Sequence, residues 1–265
     1  MIPSPARRVA DPDDPVVALF RDVRERDRIG RDGVFIAEGL SVLTVLLTRS
    51  SLETLAILVE ETRAARLPVL AARGTAPLYV APQDVLDAIA GFALHRGILA
   101  AGRVPARVPL SALPPGPLRL PVLIGLANHD NVGGIYRSAA AFGAVGVAVD
   151  AGTAHPFYRK AIRVGAGAPL MLPTYDAPND LVPALAAAGI TAYALTPRAD
   201  AAVGRTGLAP RSAFLLGTEG AGLPEAMIQA ATPLAIRIAD GVDSLNVAVA
   251  ASLALHGHAL QHGLG

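Results

Sequence analysis

The chain of 265 residues contains no cysteine and no tryptophan, and one of its 23 basic residues, Lys160, is its single lysine. Without cysteine there is no disulfide framework, no cysteine-ligated zinc and no thiol nucleophile. Long apolar runs are missing too. The quietest segments, 182–197 and 246–260, are broken by Gly, Pro, Thr or His and fall short of the ~20 consecutive apolar residues a spanning helix needs. The opening Met1-Ile-Pro-Ser-Pro runs through Arg7-Arg8 into Asp11, Asp13 and Asp14 with no apolar segment behind it, so no secretory leader is expected. A soluble, cytoplasmic protein with no membrane partner is the expectation. Nucleotide fingerprints are also lacking. Gly165-x-Gly167 is followed by Leu170, and Gly220-x-Gly222 by Glu225, where a third glycine would complete G-x-G-x-x-G, and no P-loop sequence occurs. This argues against a dinucleotide oxidoreductase. His256 and His258 are two residues apart and cannot share one helical face, so no metal site is expected.

What the chain does have is core-forming material. Its apolar fraction is 52%, its charged fraction 17% and its formal net charge +1, a composition that excludes wholesale disorder. The charges are unevenly spread: 15 basic and 13 acidic residues up to position 120, then 8 and 9. Arginine's planar fork suits phosphate recognition, although a balanced surface by itself names no partner. Prolines 105, 109, 114, 115 and 117 make 104–120 the natural linker. The expected domains are therefore 1–103 and 121–265.

Before the linker, strands are expected at 34–36, 55–59 and 78–80, with helices at 38–47 and 82–89. After it, strands are expected at 121–126, 145–149, 192–195, 213–216 and 235–238. Helices are expected at 133–142, 158–164, 181–188, 223–230 and 245–260. Wholly apolar strands alternating with helices predict an α/β fold with a parallel sheet covered on both faces. Ligands of such sheets bind beyond the carboxyl ends of the strands, so the chemistry is expected in the loops after Leu126, Leu195, Leu216 and Ile238.

Those loops carry three distinctive stretches. They are Asn128-His-Asp-Asn131-Val-Gly-Gly-Ile-Tyr-Arg137-Ser-Ala-Ala-Ala-Phe-Gly143, Phe214-Leu-Leu-Gly217-Thr-Glu219-Gly-Ala-Gly222-Leu-Pro, and Ile236-Arg-Ile-Ala-Asp-Gly-Val-Asp-Ser244-Leu-Asn246-Val-Ala-Val-Ala. In order and spacing they resemble the three motifs of the SpoU (TrmH-like) RNA methyltransferases of the SPOUT superfamily. Phe35-Ile-Ala-Glu-Gly39 and Leu94-His-Arg-Gly97 more weakly resemble the L30e-like RNA-binding domain that often precedes them.

The resemblance implies a deep trefoil knot, S-adenosylmethionine (AdoMet) as methyl donor without a metal, and a homodimer. The reaction it implies is methyl transfer to a ribose 2′-hydroxyl of tRNA or rRNA. The catalytic positions it implies are Arg137, Asn131, Glu219, Ser244 and Asn246. The implied cofactor positions are Gly217, Thr218, Ile236, Ile238 and Leu245, with Thr196 added by its place at a strand end. Each also has a plainer reading: Asn131 and Ser244 as helix caps, Ile236 and Leu245 as core, Glu219 as a loop brace. His129, Arg237 and Gly165 stand where the family commonly has proline, proline and serine, which leaves a non-catalytic RNA- or AdoMet-binding relative as the alternative. Arg159, Lys160 and Arg163 form a basic cluster, either a solvated face or a phosphate contact.

Overall fold

A computed structural model describes residues 5–21, 29 and 33–264; the opening Met1-Ile-Pro-Ser lies outside them. Two units separate, Met1–Ala106 with Phe157–Met171, and Arg107–Pro156 with Leu172–Gly265.

In the first unit the expected strands appear, slightly extended, as β2 (Val34–Glu38), β3 (Thr54–Glu60) and β4 (Leu78–Ala81). They are joined by β1 (Ala6–Arg8) and β5 (Ile98–Arg103) in the order β1-β4-β3-β5-β2. β5 runs antiparallel to both neighbours, and the other pairs are parallel. Alternate residues feed two cores. Phe35, Ile57 and Val59 face the helix Leu40–Thr48, while Ile36, Leu58 and Leu99 pack with Phe20, Leu86 and Ile89. Burial on both faces is why these strands read as unbroken apolar runs.

β5 went unanticipated because Ile-Leu-Ala-Ala-Gly-Arg has little β-branched character. Its Gly102 is a packing requirement, since a Cβ there would lie 2.3 Å from the Phe35 ring. A second departure is larger. Phe157–Met171, expected within the C-terminal domain, belongs to the first unit, where Phe157, Ile162 and Leu170 join the core around Phe35 and Val45. The Ser50 hydroxyl donates to the Leu170 carbonyl at 2.6 Å, and Arg159 meets the buried Glu38 carboxylate at 2.6 Å.

The second unit holds a six-stranded, all-parallel sheet. Its strands are β6 (Leu118–Leu123), β7 (Val147–Val149), β8 (Thr174–Asp176), β9 (Thr191–Leu195), β10 (Arg211–Leu216) and β11 (Thr232–Leu234), in the order β11-β9-β10-β6-β7-β8. β6 starts inside the segment expected to be linker and ends at Leu123, not Leu126. Pro121 is tolerated because the Leu118 and Ile124 amides bond the β10 side, turning Pro121 toward β7, whose ladder begins only at Val122. The strand expected at 235–238 is also corrected. The ladder with β9 is made by Thr232–Leu234, and Ala235 bonds instead to the loop at Ala201–Val203. β8, short and following Pro173, gave no periodic signal. The helix expected from 133 begins four residues earlier, at His129, because the Asn128 side chain accepts from the Asp130 amide and caps it.

One buried side chain braces this unit. Arg119 of β6 donates Nε–H to His258 Nδ1 at 3.1 Å, and its other nitrogens donate to the Phe142 and Gly263 carbonyls. Those carbonyls end the helices His129–Ala141 and Val247–His262, whose partial negative charge compensates the guanidinium. His258, with Nδ1 committed as an acceptor, donates Nε2–H to Ala209 O at 3.0 Å. Burial, aided by Arg119 and His262, pushes its pKa down to about 4.

Candidate active site

β6 and β10 lie side by side at the centre of the sheet, and the loops leaving their carboxyl ends carry the first two motifs. The loop after β6 leads into the helix His129–Ala141, which presents Asn131 and, two turns on, Arg137. The loop after β10 makes a tight turn, with Thr218 N–H to Gly222 O at 3.2 Å and Gly222 N–H to Thr218 O at 3.0 Å. Gly217 is obligatory there, because a Cβ would sit 2.2 Å from the Gly222 carbonyl carbon. The third motif forms an irregular segment from Ala235 to Asn246, ending where Asn246 caps the helix Val247–His262.

Three of the expected catalytic side chains converge. Asn246 Oδ1 accepts from the Ala248 and Val249 amides at 2.9 and 3.3 Å, which commits its Nδ2 to Asn131 Oδ1 at 2.9 Å. Asn131 is buried, and its own Nδ2 must then donate to Glu219 Oε1. The chain of bonds therefore has one direction, from a helix N-terminus through two amides to a carboxylate. Each amide's orientation follows from the backbone donors at its start. The Asn131 and Ser244 cap readings are both displaced, since Asn128 and Asn246 do the capping.

The remaining positions are placed less tightly. Arg137 is exposed and makes no hydrogen bond or ion pair among the described residues, and Ser244 is likewise exposed. Thr196 donates its amide to Leu234 O at 3.1 Å, which fixes it at the β9–β11 end of the sheet. Gly217, Thr218, Ile236, Ile238 and Leu245 are half-buried. The Ile236, Ile238 and Leu245 amides find no backbone acceptor among the described residues, so this irregular segment offers free peptide groups beside apolar side chains. Among the described residues no group of three or more His, Asp or Glu could hold a metal, and no helix is long and apolar enough to cross a membrane.

Sequence reading missed the residues that hold the first loop. Asp150, just after β7, accepts from the Gly125 amide, and Thr153 bonds both Asp150 and the Leu126 amide. Neither position belongs to the three motifs. Their only sequence signal is their place after a β-branched strand.

A model of the SpoU rRNA methylase family matches residues 120–256. A protein of Mycobacterium bovis named as an uncharacterized tRNA/rRNA methyltransferase is 36% identical, over 94% of this chain and 90% of its own length. The structure of an RNA 2′-O ribose methyltransferase is 28% identical and aligns with a TM-score of 0.78 over 96% of this chain and 98% of its own. The SpoU methyltransferase AviRb of Streptomyces viridochromogenes, solved with AdoMet, is 24% identical and shares the fold, with a TM-score of 0.78 over 94% and 98%.

Proposed function

The chain belongs to the SpoU rRNA methylase family, and from that premise we propose that it transfers a methyl group from AdoMet to a ribose 2′-hydroxyl of a structured tRNA or rRNA. The observation that carries this reading is the directed Asn246–Asn131–Glu219 set at the carboxyl ends of β6 and β10, beside the Gly217–Gly222 turn. The likeness to an RNA 2′-O ribose methyltransferase over nearly the whole chain supports the choice of ribose oxygen.

AdoMet, when bound, supplies an electrophilic methyl carbon. The half-buried Gly217, Thr218, Thr196, Ile236, Ile238 and Leu245 would hold it through backbone groups and apolar contact. The main demand on the protein is then in-line positioning of the attacking oxygen. Arg137, exposed and without a hydrogen bond or ion pair among the described residues, clamps an RNA phosphate beside the target ribose. Its guanidinium acts there by charge and fixed fork geometry and not as a base. Glu219, fixed as a hydrogen-bond acceptor by Asn131, has a second carboxylate oxygen available to orient the hydroxyl, with Ser244 at the pocket rim.

The rest of the reading follows the family. β10 lying between β6 and the earlier β9 supports a knotted C-terminal segment. So does the anchoring of the last helix to the loop before β10, through Gln261 to Thr206 O and Leu208 N and through His262 to Leu208 O. Exposed Val249, Leu253 and Leu260 along one helix support a homodimer. The first unit is the L30e-like RNA-holding part, and a tRNA or rRNA substrate puts the protein in the cytoplasm.

The test is transfer of labelled methyl to total tRNA and to rRNA from cells lacking this protein, with the labelled position mapped. Arg137→Ala should lower transfer by about 1,000-fold while the AdoMet Kd stays within about threefold. No label in either RNA from the wild-type protein would defeat the reading. Equal loss of transfer and AdoMet binding in the variant would defeat the role given to Arg137.

A further inference from the structure

Asp150 stands one residue beyond β7, outside the three motifs, and among the described residues makes no hydrogen bond or ion pair with the side chains assigned above. Its carboxylate is nonetheless spent on the loop that leads to Asn131 and Arg137. The Gly125 amide lies 3.1 Å from both Oδ1 and Oδ2, and the Thr153 hydroxyl lies 2.6 Å from Oδ1. Thr153 is buried, and its oxygen in turn accepts from the Leu126 amide at 3.3 Å. Two backbone bonds close the arrangement: Asp150 N–H to Leu123 O at 3.2 Å and Ala154 N–H to Leu126 O at 2.8 Å.

The need for this clamp follows from the sheet. β6 and β7 are in register only at Val122–Ala148 and Leu123–Val149, so ladder pairing stops where the loop begins. Beyond that point Asp150 and Thr153 continue the connection with side chains, and a charged acceptor makes the stronger bonds. Gly125 itself is wedged. Its φ is +68°, and a Cβ on it would lie 3.0 Å from Thr218 Cγ2. Gly125 is thus held by Asp150 through its amide, and its Cβ position would run into Thr218 of the turn that begins at Gly217.

We infer that Asp150 is a positioning residue for methyl transfer. Its carboxylate sets the 124–128 loop and so places Asn131 and Arg137 against the Gly217–Gly222 turn. The inference rests on the function proposed above. Its distinguishing mark is the acceptor and not the charge: Asp150→Asn keeps one oxygen for the Gly125 amide, whereas Asp150→Ala keeps none.

The experiment compares full-length wild type, Asp150→Ala and Asp150→Asn in three measurements: kcat and KM for the methylated RNA, AdoMet affinity by calorimetry, and amide hydrogen exchange. The expected result for Asp150→Ala is a kcat lower by about 10–100-fold with RNA KM within about threefold. Exchange should accelerate in 124–131 and 217–223. Asp150→Asn should return kcat to within about fivefold of wild type. A kcat for Asp150→Ala within twofold of wild type would overturn the inference, as would a rise in KM alone. So would an Asp150→Asn variant as impaired as alanine, which would mean the charge meets a ligand directly. If wild type methylates no RNA, the functional reading fails separately, and exchange still decides the placement. Acceleration confined to those two segments in Asp150→Ala supports it, and unchanged or global exchange refutes it.

Discussion

The two units bury polar groups to different ends. In the first, the two buried carboxylates sit at strand ends. Glu60 satisfies itself locally on the Thr62 and Arg63 amides and the Thr62 hydroxyl, and Glu38 makes a long-range ion pair to Arg159, 121 residues away. In the second, Ser212 bonds locally to Ala209 O, but Arg119, Asn131, Thr153, Thr174 and His258 are buried and bonded to residues remote in sequence: Gly263, Glu219, Leu123, Tyr136 and Ala209. One unit is held mainly by apolar packing on both faces of a sheet. The other adds a lattice of directional cross-links that fixes where its loops stand. A site that must align an incoming hydroxyl needs the second kind of construction, because hydrogen bonds specify geometry where apolar contact does not.

The largest test of that contrast is Arg119→Met. It strips the ends of two helices, and His258 within one of them, of one shared donor and leaves the Phe142 and Gly263 carbonyls unpaired, so the second unit should lose about 3–5 kcal/mol. Denaturant unfolding would measure the loss, and hydrogen exchange should show it confined to 107–156 and 172–264. Next is Ile162→Ala, a cavity in the first unit, expected to cost about 2–4 kcal/mol. Its exchange signature should appear at Phe35 and Val45, even though residue 162 lies within the stretch that matches the methylase family.

Acid offers the finest discrimination. His155 and His258, both in the second unit, are pushed to about 4 by burial, His155 with help from Arg107 and His258 from Arg119 and His262. The unfolded chain takes up these protons near pH 6.5 and the folded one only near 4. Their contribution is therefore whole above about pH 6.5 and is lost as pH falls toward 4. The loss at pH 5 is on the order of 1 kcal/mol each, after allowance for solvent screening. In the first unit Glu60 is depressed despite its burial, because the Thr62 hydroxyl and the Thr62 and Arg63 amides hold its charged form. Its contribution is present above the ordinary carboxylate range and fades only below it. Melts between pH 7 and 5 should thus weaken the second unit first; simultaneous weakening of both would dissolve the contrast.

The contrast also explains what could be read in advance. β2, β3, β4, β9 and β10 were legible because burial on two faces leaves an unbroken apolar stretch. β5 and β8 were not, because Gly102 answers to the Phe35 ring and β8 follows a proline in a three-residue edge. The polar lattice was the least legible part. Asn131 is 88 residues from Glu219 and 115 from Asn246, so no local spacing announces their meeting. Three ordered motifs pointed at those residues, whereas no motif pointed at Arg119, Asp150 or Thr153.

The membership of Phe157–Met171 bears on how this chain can be taken apart. A graft of the first unit onto another methylase body needs two cuts in the recipient, because its core keeps Ile162 and Leu170 from a segment that follows β6 and β7 in the sequence. Expressed alone, residues 1–106 would present an unfilled hydrophobic face where those side chains belong. The interchangeable module is therefore discontinuous in sequence, and chimeras designed at the proline-rich segment alone would divide a folding unit instead of separating two.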